Sequence, residues 1–178
     1  MLKNLFWWLL VGVMVVESLA IPASAVHAQT NTWSEPVNLS RSGAAEQPRV
    51  VASPSGTVQV FWWDRFDGLT TSYSLGTSWT VGTTVPLDID EAEMPLFVLD
   101  SVGRIHAFWQ KQVQGENQLW HASMRLADTA WTVIEKLTEA TLGFKALAME
   151  DGAMVVTYLV VAQSWGAPAG IYLQRLEP

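Results

Sequence analysis

The sequence predicts an all-β chain of β-propeller blades, about three four-stranded antiparallel blades that amount to half of a six-bladed ring. Three observations predict it. First, a unit repeats: Gly56 leads Thr-Val-Gln-Val-Phe61-Trp62, and Gly103, 47 residues later (103 − 56), leads Arg-Ile-His-Ala-Phe108-Trp109. Pro48 and Pro95 each lie eight residues before that glycine, and Tyr73 and Trp120 each lie seventeen after it. A weaker third copy starts at Gly152, which leads Ala-Met-Val-Val-Thr157-Tyr158. Second, a tryptophan opens a short apolar stretch at Trp33, Trp79 and Trp131, spaced 46 (79 − 33) and 52 (131 − 79) residues apart. Third, the runs between Gly and Pro turn signals have strand length and are rich in Val and aromatics. In Thr57–Trp63 they are apolar on both faces, as a sheet covered on both sides requires. Propeller blades carry four strands in repeats of this length. A β-sandwich also fits the strand spacing, but it does not need a 47-residue repeat.

The elements follow in chain order. Lys3, the unbroken apolar run Leu5 to Val16, Pro22, and the endings Ala23-Ser24-Ala25 and Val26-His27-Ala28 form the layout of a secretory signal peptide over residues 1–28. Cleavage after Ala25 or Ala28 both fit, and an uncleaved signal anchor is the alternative. Twelve apolar residues fall short of the ~20 that span a bilayer. The repeat domain is then 29–178. Trp33–Leu39 reads as a lone fourth-type strand. The first blade, near 44–85, takes Gln47–Ala52, Thr57–Trp63, Leu69–Ser74 and Trp79–Val85. The second, near 92–137, takes Met94–Leu99, Arg104–Gln110, Gln118–Met124 and Trp131–Leu137. The third, near 144–176, has Phe144–Met149, Ala153–Val161 and Gly170–Leu176, with no fourth strand. The orphan 33–39 matches that gap as a closing strand. Three blades cannot close a ring, so a homodimer completing a six-bladed ring is one expectation, and a fragment of a longer propeller is the other.

Composition excludes several functions. With no cysteine there is no disulfide scaffold, thiolate metal site or cysteine nucleophile. Lys+Arg 10 against Asp+Glu 17, a net charge of −7 without a basic cluster, argues against nucleic acid as a partner. Gly-x-Ser-x-Gly does not occur. Asp88-Ile-Asp90-Glu91-Ala-Glu93 holds four carboxylates but lacks the glycine and spacing of a calcium loop, so it reads as a solvated interblade linker. His106 and His121 read as separate core histidines. No cofactor and no metal are expected.

Ser72-Tyr-Ser74-Leu-Gly76-Thr-Ser78-Trp79 resembles a degenerate Asp box, the Ser-x-Asp-x-Gly-x-Thr-Trp motif of sialidase-type (bacterial neuraminidase repeat) propellers. The resemblance implies a turn at Gly76 between third and fourth strands, with Trp79 packed in the blade. It also brings a test of activity, because sialidases use an arginine triad, a tyrosine–glutamate pair and an aspartate acid. None of Arg41, Arg49, Arg65, Arg104, Arg125 and Arg175 stands in the family's Arg-Ile-Pro context. The expectation is therefore a secreted or periplasmic, non-enzymatic binding module that recognises a glycan or an extracellular protein. A sialidase-like glycoside hydrolase relic and a structural extracellular repeat protein are the alternatives. The expected binding residues sit on loops between blades or between second and third strands: Trp63, Asp64, Arg65, Arg41, Lys111, Glu93 and Trp165. An aromatic plane stacks on a sugar's apolar face while charged groups fix its hydroxyls.

Overall fold

The computed structural model describes residues 33–91, 93–132, 134–139, 141–160 and 168–177. The expected signal peptide, residues 1–28, and Trp165 lie outside the described residues. The chain divides into two units, Met1–Pro36 and Val37–Pro178. In the first, residues 33–36 are described and carry no strand. The twelve strands among the described residues, β1 to β12, belong to the second unit.

The second unit is all-β, with no helix among the described residues and three antiparallel sheets, each made of strands consecutive in the chain. The first sheet contains β1 (Ala45–Ala52), β2 (Val58–Asp64) and β3 (Gly68–Leu75), with β4 (Ser78–Trp79) and β5 (Thr83–Thr84) both paired to β3. The second runs β6 (Leu96–Leu99), β7 (Arg104–Val113), β8 (Glu116–Arg125) and β9 (Glu135–Thr138). The third is β10 (Gly143–Ala148), β11 (Met154–Val160) and β12 (Gly170–Leu176). The first strands run beside one another, β1 by β6 and β6 by β10, and no other strands of different sheets approach to the same extent.

Alternation fixes what each sheet buries. In β2, Gln59, Phe61 and Trp63 face the second sheet and Trp62 faces away. In β7, Ile105, Ala107 and Trp109 face the first sheet, whereas Phe108 faces the third. The first junction closes on Phe61, Leu69, Val85, Ile105, Ala107, Trp109 and Met124. Phe61 stacks on Phe97 with ring centroids 3.9 Å apart, and both tilt against Trp131. Fully buried Gln59 bridges the two sheets: its Nε2 donates to Thr71 Oγ1 at 3.0 Å, and its Oε1 accepts from Ala127 N at 3.0 Å. The second junction closes on Phe108, Leu119, Met154 and Val156, with Phe144 and Tyr158 packed against them.

Three sequence expectations change. Trp79–Val85 is not one strand but β4 and β5, separated at Thr80–Gly82. One backbone bond remains there, from Thr80 N to Tyr73 O at 3.0 Å, and side chains supply the others: Tyr73 N donates to Thr80 Oγ1 at 3.0 Å and Ser72 Oγ to Thr80 O at 2.8 Å. The second sheet repeats the device, with Ser123 N donating to Thr132 Oγ1 at 2.9 Å, so its fourth strand starts at Glu135 and not at Trp131. The expected Lys111–Asn117 loop shrinks to Gln114–Gly115, whose φ values of 53° and 86° suit a two-residue hairpin. Trp33–Leu39 carries no strand among the described residues of the single chain. The acidic linker is pinned to the core: Leu87 and Ile89 are buried in the first junction, which leaves Asp88 and Asp90 outside. The Gly76 turn expected from the Asp-box resemblance does lie between β3 and β4, with φ +63°.

Candidate functional site

The ends of β2, β7 and β8 meet the loops that link the sheets. Arg65 Nε lies 3.3 Å from Glu46 Oε1, and the guanidinium holds the Glu46 carboxyl below its ordinary range. Lys111 pairs with Asp88. Gln118 Nε2 donates to Glu139 at 2.9 Å. Thus Arg65 is matched to a carboxylate near the start of β1 and Lys111 to one on the acidic linker. Glu93 stands exposed on its linker, where its N–H closes a turn onto Asp90 O at 2.9 Å. Trp63 departs from expectation. It packs into the first junction, because its place in β2 puts it on the same face as Phe61.

The aromatic that faces outward is Trp62. With Trp79 it walls a cavity of about 250 Å³, lined also by Asn38, Arg41, Asp64, Asp67, Thr80 and Gly82. Two expected residues, Arg41 and Asp64, meet here. Asp64 belongs to the turn after β2: a hydrogen bond from Ser42, then the backbone N–H groups of Phe66 and Asp67, lower its pKa and hold it ionised. Phe66 N lies 3.0 Å from Oδ1. Asn38 Oδ1 accepts from Arg41 N at 3.1 Å and sets the turn that carries Arg41. Gly82 is required by the wall. A Cβ there would stand 3.1 Å from the Trp62 ring and 3.2 Å from the Thr70 methyl. Trp79, expected as core, is half-buried at the cavity wall because β4 ends there.

The repeat builds a related cavity in the next sheet. Asp88, Trp109, Lys111, Trp120 and Ile134 line about 230 Å³. Trp109 lies 47 residues beyond Trp62 (109 − 62). By the same offset, Asp88 and Lys111 correspond to Arg41 and Asp64, with the charges exchanged. Indole rings wall both cavities, but their N–H groups do not open into them: Nε1 of Trp62, Trp109 and Trp120 is fully buried with no close hydrogen-bond partner among the described residues, Trp62 contributing only weakly to the lowering of the Asp64 pKa. Such a buried unpaired donor costs on the order of 1–3 kcal/mol. Sequence reasoning missed Trp62 because it chose the tryptophan next to the Asp64-Arg65 turn. The offset from Trp109 was the signal that would have found it.

A second polar cluster crosses the second sheet on its other face. Asp100 Oδ2 lies 3.1 Å from His106 Nε2, His106 Nδ1 lies 3.0 Å from His121 Nε2, and His121 Nδ1 lies 2.7 Å from Glu135 Oε1. The two histidines are therefore partners, not the separate core residues expected. In-register pairing explains it: Phe108 opposes His121 and His106 opposes Ser123, so the imidazoles sit diagonally on one face. Phe108 stacks on His121 at 4.8 Å. Burial, outweighing the pull of Glu135, lowers the His121 pKa. Asp100 Oδ1 also accepts from Arg104 N at 2.7 Å and Val102 N at 3.0 Å, which ties the row to the β6–β7 turn. Among the described residues no group of three or more His, Asp or Glu is arranged to hold a metal ion.

No protein-family model matches the chain, and no curated protein matches it.

Proposed function

We propose that the chain is a secreted, non-enzymatic binding module on sialidase-type propeller blades, and that it takes neutral saccharides in the cavities at Trp62 and Trp109. The observation that carries this reading is the recurrence of one cavity design in successive sheets. Each combines indole rings in its wall with a pair of opposite charges. Indole faces suit the apolar side of a sugar, and charged side chains suit its hydroxyls. The volumes lie below the ~300–1,000 Å³ of drug-sized pockets, which fits a single sugar ring. Arg41 shares its cavity with two carboxylates, Asp64 and Asp67, and the chain carries −7 overall, so an anionic sugar is disfavoured.

The blade reading is supported by the meandering order of the sheets and by the side-by-side approach of their first strands. The reading of secretion rests on residues 1–28 alone. A hydrolase reading is less well supported. Glycosidases need a carboxyl group with a raised pKa as general acid, whereas Asp64 is held ionised by its turn.

Titration calorimetry against neutral, amino and sialylated saccharides tests the proposal. Two neutral-sugar sites per chain are expected. Asp67→Asn should weaken the first at least tenfold, and Lys111→Ala should remove the second, with melting temperatures held. A folded chain that binds no saccharide would leave the structural-repeat reading in its place.

A further inference from the structure

The stack of three sheets ends in two apolar faces. On the outer face of the third sheet, Ile171 and Leu173 are 82% and 68% exposed, and Leu147 and Leu159 flank them. On the outer face of the first sheet Val50 is 67% exposed, while Trp62 is only 4% exposed, at the wall of a cavity lined also by residues 37–40. Soluble chains rarely leave such patches uncovered.

These two faces are the two halves of one junction. Inside the molecule, each junction joins a Phe61-type face (Phe61, Phe108) to a Trp109-type face (Trp109, Tyr158). The first sheet presents outward the Trp109-type face, at Trp62. The third presents outward the Phe61-type face: Thr157 stands 49 residues after Phe108 (157 − 108) and opposes Leu173. A fourth-strand segment accompanies each Trp109-type face. Val85 packs with Trp109, and Leu137 packs in the cluster with Tyr158. Leu39, 46 residues before Val85, lines the cavities with Trp62. Residues 37–39 thus occupy the place of a fourth strand with no sheet of its own among the described residues. At the other end, β12 pairs with β11 alone among the described residues.

We infer that two copies of the chain close head to tail. The outer face of each third sheet stacks on the first sheet of the other copy, and residues 37–39 add to the free edge of β12. The equivalences give the register. Trp131 and Leu137 follow Trp33 and Leu39 by 98 residues, so Glu135 matches Val37. The pairs His106–Ser123 and Val155–Arg175 are equivalent, so His121 matches Leu173, 52 residues later. The observed pair His121–Glu135 then becomes Leu173 of one copy opposite Val37 of the other, and both are exposed in the single chain. A head-to-tail contact makes closed rings only when the rotation closes. The three sheets described in each copy would close a six-sheet ring with those of a second.

The inference rests on the propeller reading and not on saccharide binding. Native mass spectrometry of the exported chain should give twice the chain mass; a folded species of one-chain mass, or a ladder of larger assemblies, would overturn it. Ile171→Glu with Leu173→Glu should halve the mass with the far-ultraviolet spectrum kept, and a persistent dimer would place the contact elsewhere. The chain has no cysteine, so Val37→Cys with Leu173→Cys supplies a clean crosslink that does not depend on the charged variant folding. Oxidation should give a covalent species of doubled mass; a bond within one chain, or no bond, would sink the register. A monomer that still binds sugar overturns only this inference, and a dimer that binds none overturns only the other.

Discussion

Phe61 and Trp62 are neighbours in sequence with opposite fates. One fills the first junction and the other walls a cavity, because successive side chains of a strand leave by opposite faces. Phe61 is fully buried against Phe97, so Phe61→Ala should destabilise the fold by about 3–5 kcal/mol, read from the midpoint of urea unfolding with no change of slope. His121 makes the case for pH. Its pKa is lowered by burial, so between that value and the ordinary ~6.5 the unfolded chain binds more protons than the folded one. Stability should rise with pH across that window, be complete above it, and fall on acidification. The melting temperature followed from pH 8 to pH 5 checks this, and His121→Gln should flatten the slope. The carboxylates of Asp64 and Asp151 are shifted down by hydrogen bonds to them. Their share is present above the usual carboxylate range and is lost only as pH falls through it, well below the imidazole window.

At the scale of elements, the strands of the third sheet were legible almost to the residue. Phe144–Met149 and Gly170–Leu176 were bracketed by glycines and turn residues, and β10 and β12 occupy Gly143–Ala148 and Gly170–Leu176. The fourth strands were not legible. Thr80 and Thr132 take over backbone hydrogen bonds with their hydroxyls, and nothing in a Trp-Thr-Val run separates a β-branched ladder residue from one that replaces the ladder. The His106–His121 contact was likewise hidden, since it depends on a diagonal register between two strands. The break at Thr80–Gly82 yields its own expectation. Gly82→Ala puts a methyl against Trp62 and Thr70. It should cost about 1–3 kcal/mol, as overpacking does, and weaken saccharide binding at the first cavity while leaving the second unchanged. Calorimetry of the two sites separates these effects.

For the whole molecule, the repeat was the most legible feature, because a 47-residue offset survives even where single positions drift. The same offset carries the paired cavities, and it shows the Arg41–Asp64 arrangement reappearing as Asp88–Lys111 with the signs reversed. What sequence could not show is which strands lie beside one another across sheets; the approach of β1, β6 and β10 is a long-range fact. The row from Asp100 to Glu135 crosses the second sheet from its first strand to its last. A neutral His121 has a single ring hydrogen for its two contacts, so it can donate to His106 or to Glu135 but not to both. The nitrogen resonances of the two rings should therefore shift together when only the solvent-facing Glu135 is replaced by Gln, and the far carboxylate at the β6–β7 turn would register an event on the opposite rim.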